Sequence, residues 1–384
     1  MVEALGDEFD FLILTSDRDL RSPRSYEGVS SGTWTQIGKA RVMYLSKNVL
    51  SVLNTCRLLR DLEYDILYLN SFFSRRFSML PCFLRWVGII KNTPFVLAPR
   101  GEFSQGAIKL KHFRKNIYIY ISKLLGVYNQ ITWHASSEFE KKDILREVGV
   151  VGTISMAYPV ADAGIIKKYK GKYAENVFIA MDIVSSKLQS LDYRNENKKF
   201  GSANFCFLSR ISPMKNLDMA IGLLDGLKGD IHYHIYGPIE DKTYWNQCKK
   251  RIKTMASNIH IEYKGEVPHE QVEQVFSQCD FFLFPTRGEN YGHVIMESLL
   301  AGCPVIISDQ TPWRNLEASG AGWNLPLDDR DVFRDVLQKC IDMDADEHAR
   351  HSALAKKYAE NQINDPKVLE NNRSMFMKVL EYEQ

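Results

Sequence analysis

PTRGENYGHVIMESLLAGCPVII, residues 285–307, decides how this chain is read. It follows FFLF, an apolar run that reads as a buried strand. The strand ends in a loop holding Glu289, Gly292 opens a helix, and Glu297 sits one turn inside it. Two carboxylates eight positions apart across such a junction reach opposite ends of one ligand. The N–H groups of Gly292, His293 and Val294 have no acceptor within the helix, so with the helix dipole they form an anion site between the acids. The pattern suits a ligand with hydroxyls at both ends and a diphosphate in the middle.

Short apolar, β-rich runs alternate with helical patterns on both sides of this segment, the signature of parallel α/β sheets. In the second half the pattern predicts strands at 205–209, 231–236, 259–263, 281–285 and 304–308, with helices near 216–226, 242–255, 269–278 and 294–301. In the first half it predicts strands at 9–14, 66–70, 95–98 and 130–135, and helices at 49–62, 74–87, 113–124 and 137–147. A polar stretch, SSKLQSLDYRNENKKFG (185–201), reads as a linker. A chain of 384 residues exceeds what one core holds, so two Rossmann-like, doubly wound domains facing a cleft are expected, at 1–188 and 202–365. The last helix, 366–384, has no strand partner and should cross back to the first domain.

Composition sets the class. Hydrophobic residues make up 45% and charged residues 25%, which fits a globular protein and neither a disordered nor a collagen-like one. Seven cysteines without a close CxxC pair read as thiols in a reducing compartment. The first ten residues lack the basic and apolar regions of a secretory signal. The most apolar long stretch, 79–98, is broken by Arg85, Lys91 and Pro94, so no membrane-spanning helix is expected and the location is read as cytoplasmic. The net charge of +2 hides an asymmetry: residues 1–200 carry 29 Lys+Arg against 20 Asp+Glu, and the remainder is acidic. Between Phe72 and Gln130 ten Lys+Arg face a single acid, Glu102, interleaved with Phe72, Phe73, Phe77, Trp86, Phe113, Tyr118 and Tyr120. That stretch reads as a docking surface for an anionic membrane, which makes the protein peripheral on the inner face. No nucleic-acid module accompanies the charge.

A ligand with two hydroxylated ends and a central diphosphate is a nucleotide-sugar. ExxxxxxxE after a strand, followed by AGCPVI, resembles the retaining glycosyltransferases of family 4 (group 1), which have the GT-B fold. FLSRISPMKNLDMAI, HIYGPIEDKTYW, IEYKGEVPHEQV and SDQTPWRNLEASGAGW resemble that family in order and spacing. In the first half APRGEFSQGAIK and HASSEFEKKDI resemble its acceptor domain.

The resemblance implies that Arg210 and Lys215 grip the donor diphosphate, doing the work a metal does elsewhere. Glu297 would hold the ribose hydroxyls and Glu289 the sugar hydroxyls, while Asn290, Tyr291, Gly292, His293 and Val294 would contribute backbone groups. Arg100, Gly101 and His134 would line the acceptor side. The expected activity is metal-independent transfer, with retention, from a nucleotide-sugar to a hydroxyl of a glycan or lipid-linked acceptor in bacterial surface polysaccharide synthesis. No cofactor is implied, since the nucleotide-sugar is a substrate. The alternative is a non-catalytic nucleotide-sugar-binding or scaffolding subunit. It is suggested by one departure: the strand and glycine-rich loop with which relatives open precede nothing here, and the chain starts at what looks like the second strand, 9–14.

Other chemistries find no support. There is no GxxxxGK[ST] loop and no HExxH. His348 and His351 lie in a polar helical pattern without cysteine partners, so no metal is expected there. Of three D-x-D spacings, Asp329–Asp331 and Asp342–Asp344 read as solvated, and Asp17–Asp19 lies too near the start to follow a nucleotide-binding unit.

Overall fold

The computed structural model describes residues 1–18, 24–46, 51–109, 112–148, 177–182 and 198–381. Most of the expected linker and Asp19 lie outside them. The chain forms two units, one of residues 1–103, 108–183 and 366–384, the other of 104–107 and 184–365.

The first unit holds two sheets. Strands β1 (Phe11–Ser16), β2 (Trp34–Ile37) and β3 (Ala40–Leu45) lie in the order β1-β3-β2, β1 parallel and β2 antiparallel to β3. A tight Gly38-Lys39 turn joins β2 to β3, with Gly38 at φ 56°. Strands β4 (Leu67–Asn70), β5 (Phe95–Ala98), β6 (Ile131–Ala135) and β7 (Val177–Ile179) form a parallel sheet in chain order. Among the described residues no strand bonds to the outer edge of β1 or of β4. The two sheets nevertheless share apolar packing, since Leu14 and Leu67 lie against one core built on Phe72, Phe103, Tyr128 and Trp133.

Three strands, β2, β3 and β7, add to those expected in this half. The single helix expected at 74–87 is instead a wide π-type turn, Arg75–Met79, running into the helix Leu80–Trp86. Pro81 lacks an N–H, so a regular helix through it would lose a bond to residue 77. Ser51 and Ser137 cap their helices through their hydroxyls.

The last helix, Pro366–Glu381, packs on the first unit, as its missing strand partner predicted. Met375, Phe376 and Val379 are buried with Leu5 and Val96. The Phe376 ring lies 5.3 Å from Phe9 and 6.0 Å from Tyr68, a burial worth roughly 2–3 kcal/mol. Asn372 Nδ2 donates to the Met181 carbonyl at 2.9 Å.

The second unit is one six-stranded, wholly parallel sheet: β8 (Ser202–Leu208), β9 (Asp230–Tyr236), β10 (Ile259–Gly265), β11 (Phe281–Phe284), β12 (Val305–Ser308) and β13 (Gly322–Leu325). Their order, β10-β9-β8-β11-β12-β13, is that of a doubly wound fold. Each residue of FFLF, the strand β11, is buried, as a central parallel strand requires. β13 and two helices, Arg330–Asp342 and Ala345–Ile363, extend the pattern beyond the expected elements. Asp329 and Asp344 cap those helices, which is the physical reason for two of the D-x-D spacings. The order of the sheet reverses between β8 and β11.

Candidate active site

In doubly wound sheets a crevice opens past the carboxyl ends of the strands where the order reverses. Here that places the segment after β8 beside the segment after β11. Ser209 and Arg210 leave β8, a short 3-10 turn spans Pro213–Lys215, and Asn216 takes left-handed φ 60° before the helix Leu217–Leu224. That turn points Lys215 at the loop after β11, where its Nζ forms an ion pair with Glu289 Oε1. Both side chains are 11% exposed.

A hydrogen-bond frame fixes the pair. Thr286 Oγ1 lies 3.3 Å from Glu289 Oε1, and the Glu289 N–H donates to the Gln310 carbonyl at 3.0 Å. Asn216 Nδ2 donates to the Pro285 carbonyl at 2.8 Å and its Oδ1 accepts from Arg287 Nε at 3.0 Å. Arg210 turns elsewhere: its Nη1 donates to Glu240 Oε2 at 3.1 Å, beyond β9.

The helix His293–Leu300 starts at Gly292, φ 80°, without a side-chain cap. A Cβ at Gly292 would stand 2.9 Å from Ile295 Cδ1 and 3.2 Å from Trp313 Nε1, so glycine is needed for both conformation and space. Trp313 Nε1 donates to the Tyr291 carbonyl at 2.6 Å, and the Tyr291 ring packs on His293. Glu297 sits 3.8 Å from His269 Nδ1. Burial pushes the Glu297 carboxyl above the usual carboxylate range, opposed by the nearby His269 and His293.

Glu289, Lys215 and the Gly292 helix start thus converge, with Glu297 farther along the same helix; Asn290 and Val294 belong to this junction. Thr286, Trp313, His269 and Glu240 were not singled out from sequence. Glu240, His269 and Trp313 lie in segments that carry the resemblance, and Thr286 lies in the segment 285–307.

The residues expected on the acceptor side, Arg100, Gly101 and His134, belong in the first unit to a closed polar network. Arg100, at φ 57°, donates from Nε to Asn70 Oδ1 at 2.8 Å and from Nη2 to Tyr68 Oη at 3.1 Å, and its Nη1 pairs with Asp182. Tyr68 Oη donates to His134 Nδ1 at 2.5 Å, and His134 Nε2 donates to the Ala180 carbonyl at 2.7 Å. Both imidazole nitrogens are therefore engaged with the ring neutral, and burial lowers its pKa to about 4. The Gly101 N–H donates to Glu140 Oε1 at 2.7 Å, and Ser136 donates to Oε2. Burial raises the Glu140 pKa against these bonds.

The basic, aromatic stretch divides. Phe72 is 1% exposed and stacks among Phe103 and Tyr128, so it belongs to the core, with Phe73 and Tyr118 packed beside it. This corrects the reading of all seven aromatics as surface. Phe77 is half-buried against Met43 and Leu45. Phe83, Trp86, Phe113, Ile117, Tyr120, Ile121 and Leu124 are exposed, Phe113 and Leu124 at 77% and 74%. Trp86 Nε1 donates to the Leu125 carbonyl at 2.8 Å and ties the two apolar groups together. No helix among the described residues is long and apolar enough to cross a membrane. All seven cysteines are free thiols. His348 is buried and bonds to the Asp280 carbonyl, and His351 bonds to the Gly320 carbonyl.

Alpha-monoglucosyldiacylglycerol synthase of Streptococcus pneumoniae is 25% identical over 210 residues, 51% of this chain and 47% of that protein. The chain spans about half the length of the first curated relatives it matches, 48% and 47%. Sucrose-phosphate synthase from Thermosynechococcus elongatus superposes with TM-score 0.66 at 14% identity, over 99% of this chain and 92% of that one. Anabaena Alr3699/HepE, solved in complex with UDP and glucose, superposes with TM-score 0.62 at 15% identity, over 88% and 85%. The fold is therefore GT-B. Residues 190–361 match the model of the family described as glycosyl transferases group 1.

Proposed function

We propose that the chain transfers a sugar, with retention, from a nucleotide-sugar to a hydroxyl of a glycan or lipid-linked acceptor, in surface polysaccharide synthesis. The observation that carries this reading is the convergence of Lys215, Glu289 and the glycine-started helix of Glu297 at the point where the sheet order reverses. A diphosphate there meets a cation and the N–H groups of a helix start, and each carboxylate serves one hydroxylated end. In this reading Glu297 holds the ribose and Glu289 the reacting sugar. Lys215 neutralises the departing diphosphate, joined by Arg210 once its exposed guanidinium leaves Glu240, which stabilises the leaving group without assigning a metal to the step. The acceptor approaches on the face the leaving group vacates, and a donor phosphate oxygen takes its proton.

The solved complex of HepE with UDP and glucose supports a nucleotide-sugar as donor. The name alpha-monoglucosyldiacylglycerol synthase supports a lipid-linked acceptor. The exposed Phe113, Ile117, Tyr120 and Leu124, flanked by exposed Arg114, support docking on an anionic membrane surface.

A panel of nucleotide-sugars tested for thermal stabilisation identifies the donor, because a ligand of the native state raises the melting temperature. Hydrolysis of that donor without acceptor then tests the chemistry. Stabilisation without hydrolysis or transfer favours the scaffolding alternative, and no stabilisation by any nucleotide overturns the reading.

A further inference from the structure

We propose that Asp230, His232 and His260 form a binding site for a divalent transition metal of the zinc class, departing from the expectation that the chain holds no metal. The site follows from strand register. β9 and β10 are parallel neighbours in which His260 stands directly opposite His232. Asp230 precedes His232 by two positions and so projects from the same face of β9. The imidazoles stack with centroids 4.9 Å apart and planes 25° from parallel. His232 Nε2 and His260 Nε2 lie 3.3 Å and 3.5 Å from the same atom, Asp230 Oδ1. One donor atom from each residue lies within 4.8 Å of the others. A tetrahedral ion with bonds of about 2.0–2.2 Å holds its ligand atoms roughly 3.4 Å apart, so small rotamer adjustments close the three onto one ion.

The donor set selects the metal. Two imidazoles and one carboxylate suit zinc, cobalt, nickel or copper, whereas magnesium and calcium prefer oxygen ligands throughout. The side chains of His232, His260 and Asp230 are 37%, 55% and 58% exposed, which leaves room for water in the remaining position. The next residue along this face of β10, Glu262, is engaged with Lys264 at 2.6 Å, so the ion is confined to the first rung.

The place in the sheet separates this site from the donor residues. Asp230 opens β9 and His260 is the second residue of β10, at the amino ends of the strands, whereas Lys215 and Glu289 follow the carboxyl ends of β8 and β11. The ion would clip the edge strand β10 to β9 and stabilise the second unit by mass action.

The test uses the full chain freed of metal by chelation, titrated with Co²⁺ followed by its visible absorption and with Zn²⁺ by calorimetry. His260→Gln, His232→Gln and Asp230→Asn all alter exposed side chains, and circular dichroism checks their folding. We expect one equivalent of Co²⁺ or Zn²⁺ per chain, at least ~10-fold weaker binding in each histidine variant, and a zinc-dependent rise in melting temperature that the variants lose. Millimolar Mg²⁺ should not compete. No Co²⁺ binding at micromolar concentrations overturns the proposal. So does equal binding in the wild type and both histidine variants, which would place the ion elsewhere, for instance on the thiols.

Discussion

Lys215 and Glu289, which follow the ends of different strands and stand 74 positions apart, neutralise each other across the reversal point of the sheet. On the proposed reading a diphosphate entering there would offer Lys215 a more highly charged partner and release Glu289 toward the sugar. We expect Lys215→Ala to lower kcat/KM by about 2–4 kcal/mol of transition-state stabilisation, the range for losing one preorganised donor. Glu289→Gln should lower turnover with little change in donor affinity. Single-turnover rates and donor titrations distinguish the two, and near-normal rates in both variants would remove the pair from the chemistry.

Glu297 should make donor affinity depend on pH. In the proposed role its carboxyl must be ionised to accept from two ribose hydroxyls, and burial raises its pKa in the free protein. Affinity is therefore full at neutral pH and begins to fall, as pH drops, before an ordinary carboxylate would protonate. Glu297→Ala should weaken binding at all pH values, and Glu297→Gln should flatten the dependence. Unchanged affinity in Glu297→Ala would end the assignment.

The legible parts of this chain were those in which one segment carries the whole signal. FFLF, the glycine and the helix of Glu297 lie within 20 residues, and the alternation of strand and helix in the second half located five of its six strands. What stayed hidden depends on partners distant in sequence. β2 reads WTQI, polar and largely exposed, and becomes a strand only because β3 pairs with it across Gly38-Lys39. Phe72 carries the same charges around it as Phe113, yet one is core and the other surface, because tertiary packing and not composition decides burial. Nothing near Arg100 announces that Asp182 and Tyr68 will engage its guanidinium.

His134 makes the first unit sensitive to acid. The ring accepts from Tyr68 and donates to Ala180, which only the neutral form does, and burial holds its pKa at about 4 against an ordinary 6.5. The unfolded chain then binds more protons between those values, so the contribution is complete above pH 6.5 and is lost as pH falls toward 4. The loss amounts to about 3 kcal/mol at most. Chemical denaturation across this range should show the fall in wild type and a flatter profile in His134→Gln. Parallel profiles would show that the ring accommodates a second proton without cost.

The exposed apolar side chains of the helix His112–Leu124 should govern membrane docking. Phe113, Ile117, Tyr120 and Leu124 recur at helical spacing on its exposed face, with Arg114 beside them. Anionic vesicles should bind more tightly than neutral ones, and more weakly in high salt, where the screening length falls from about 10 Å at 0.1 M to about 3 Å at 1 M. Phe113→Asp with Leu124→Asp should abolish sedimentation with vesicles while leaving transfer to a soluble acceptor intact. Equal affinity for neutral and anionic vesicles would return the stretch to an ordinary solvated face.

Protection of the backbone should differ between the two units. β8 is central, with β9 on one side and β11 on the other, and Phe205, Cys206 and Phe207 in it are fully buried. β1 pairs with β3 alone among the described residues, and every side chain along it is only half-buried. A strand bonded on one side opens at lower cost, because fewer buried contacts and ladder bonds must break with it. Hydrogen exchange should therefore reach the amides of β1 and β4 well before those of β8 and β11. If β1 is protected as strongly as β8, its outer edge is covered in solution by backbone that the described strands do not supply.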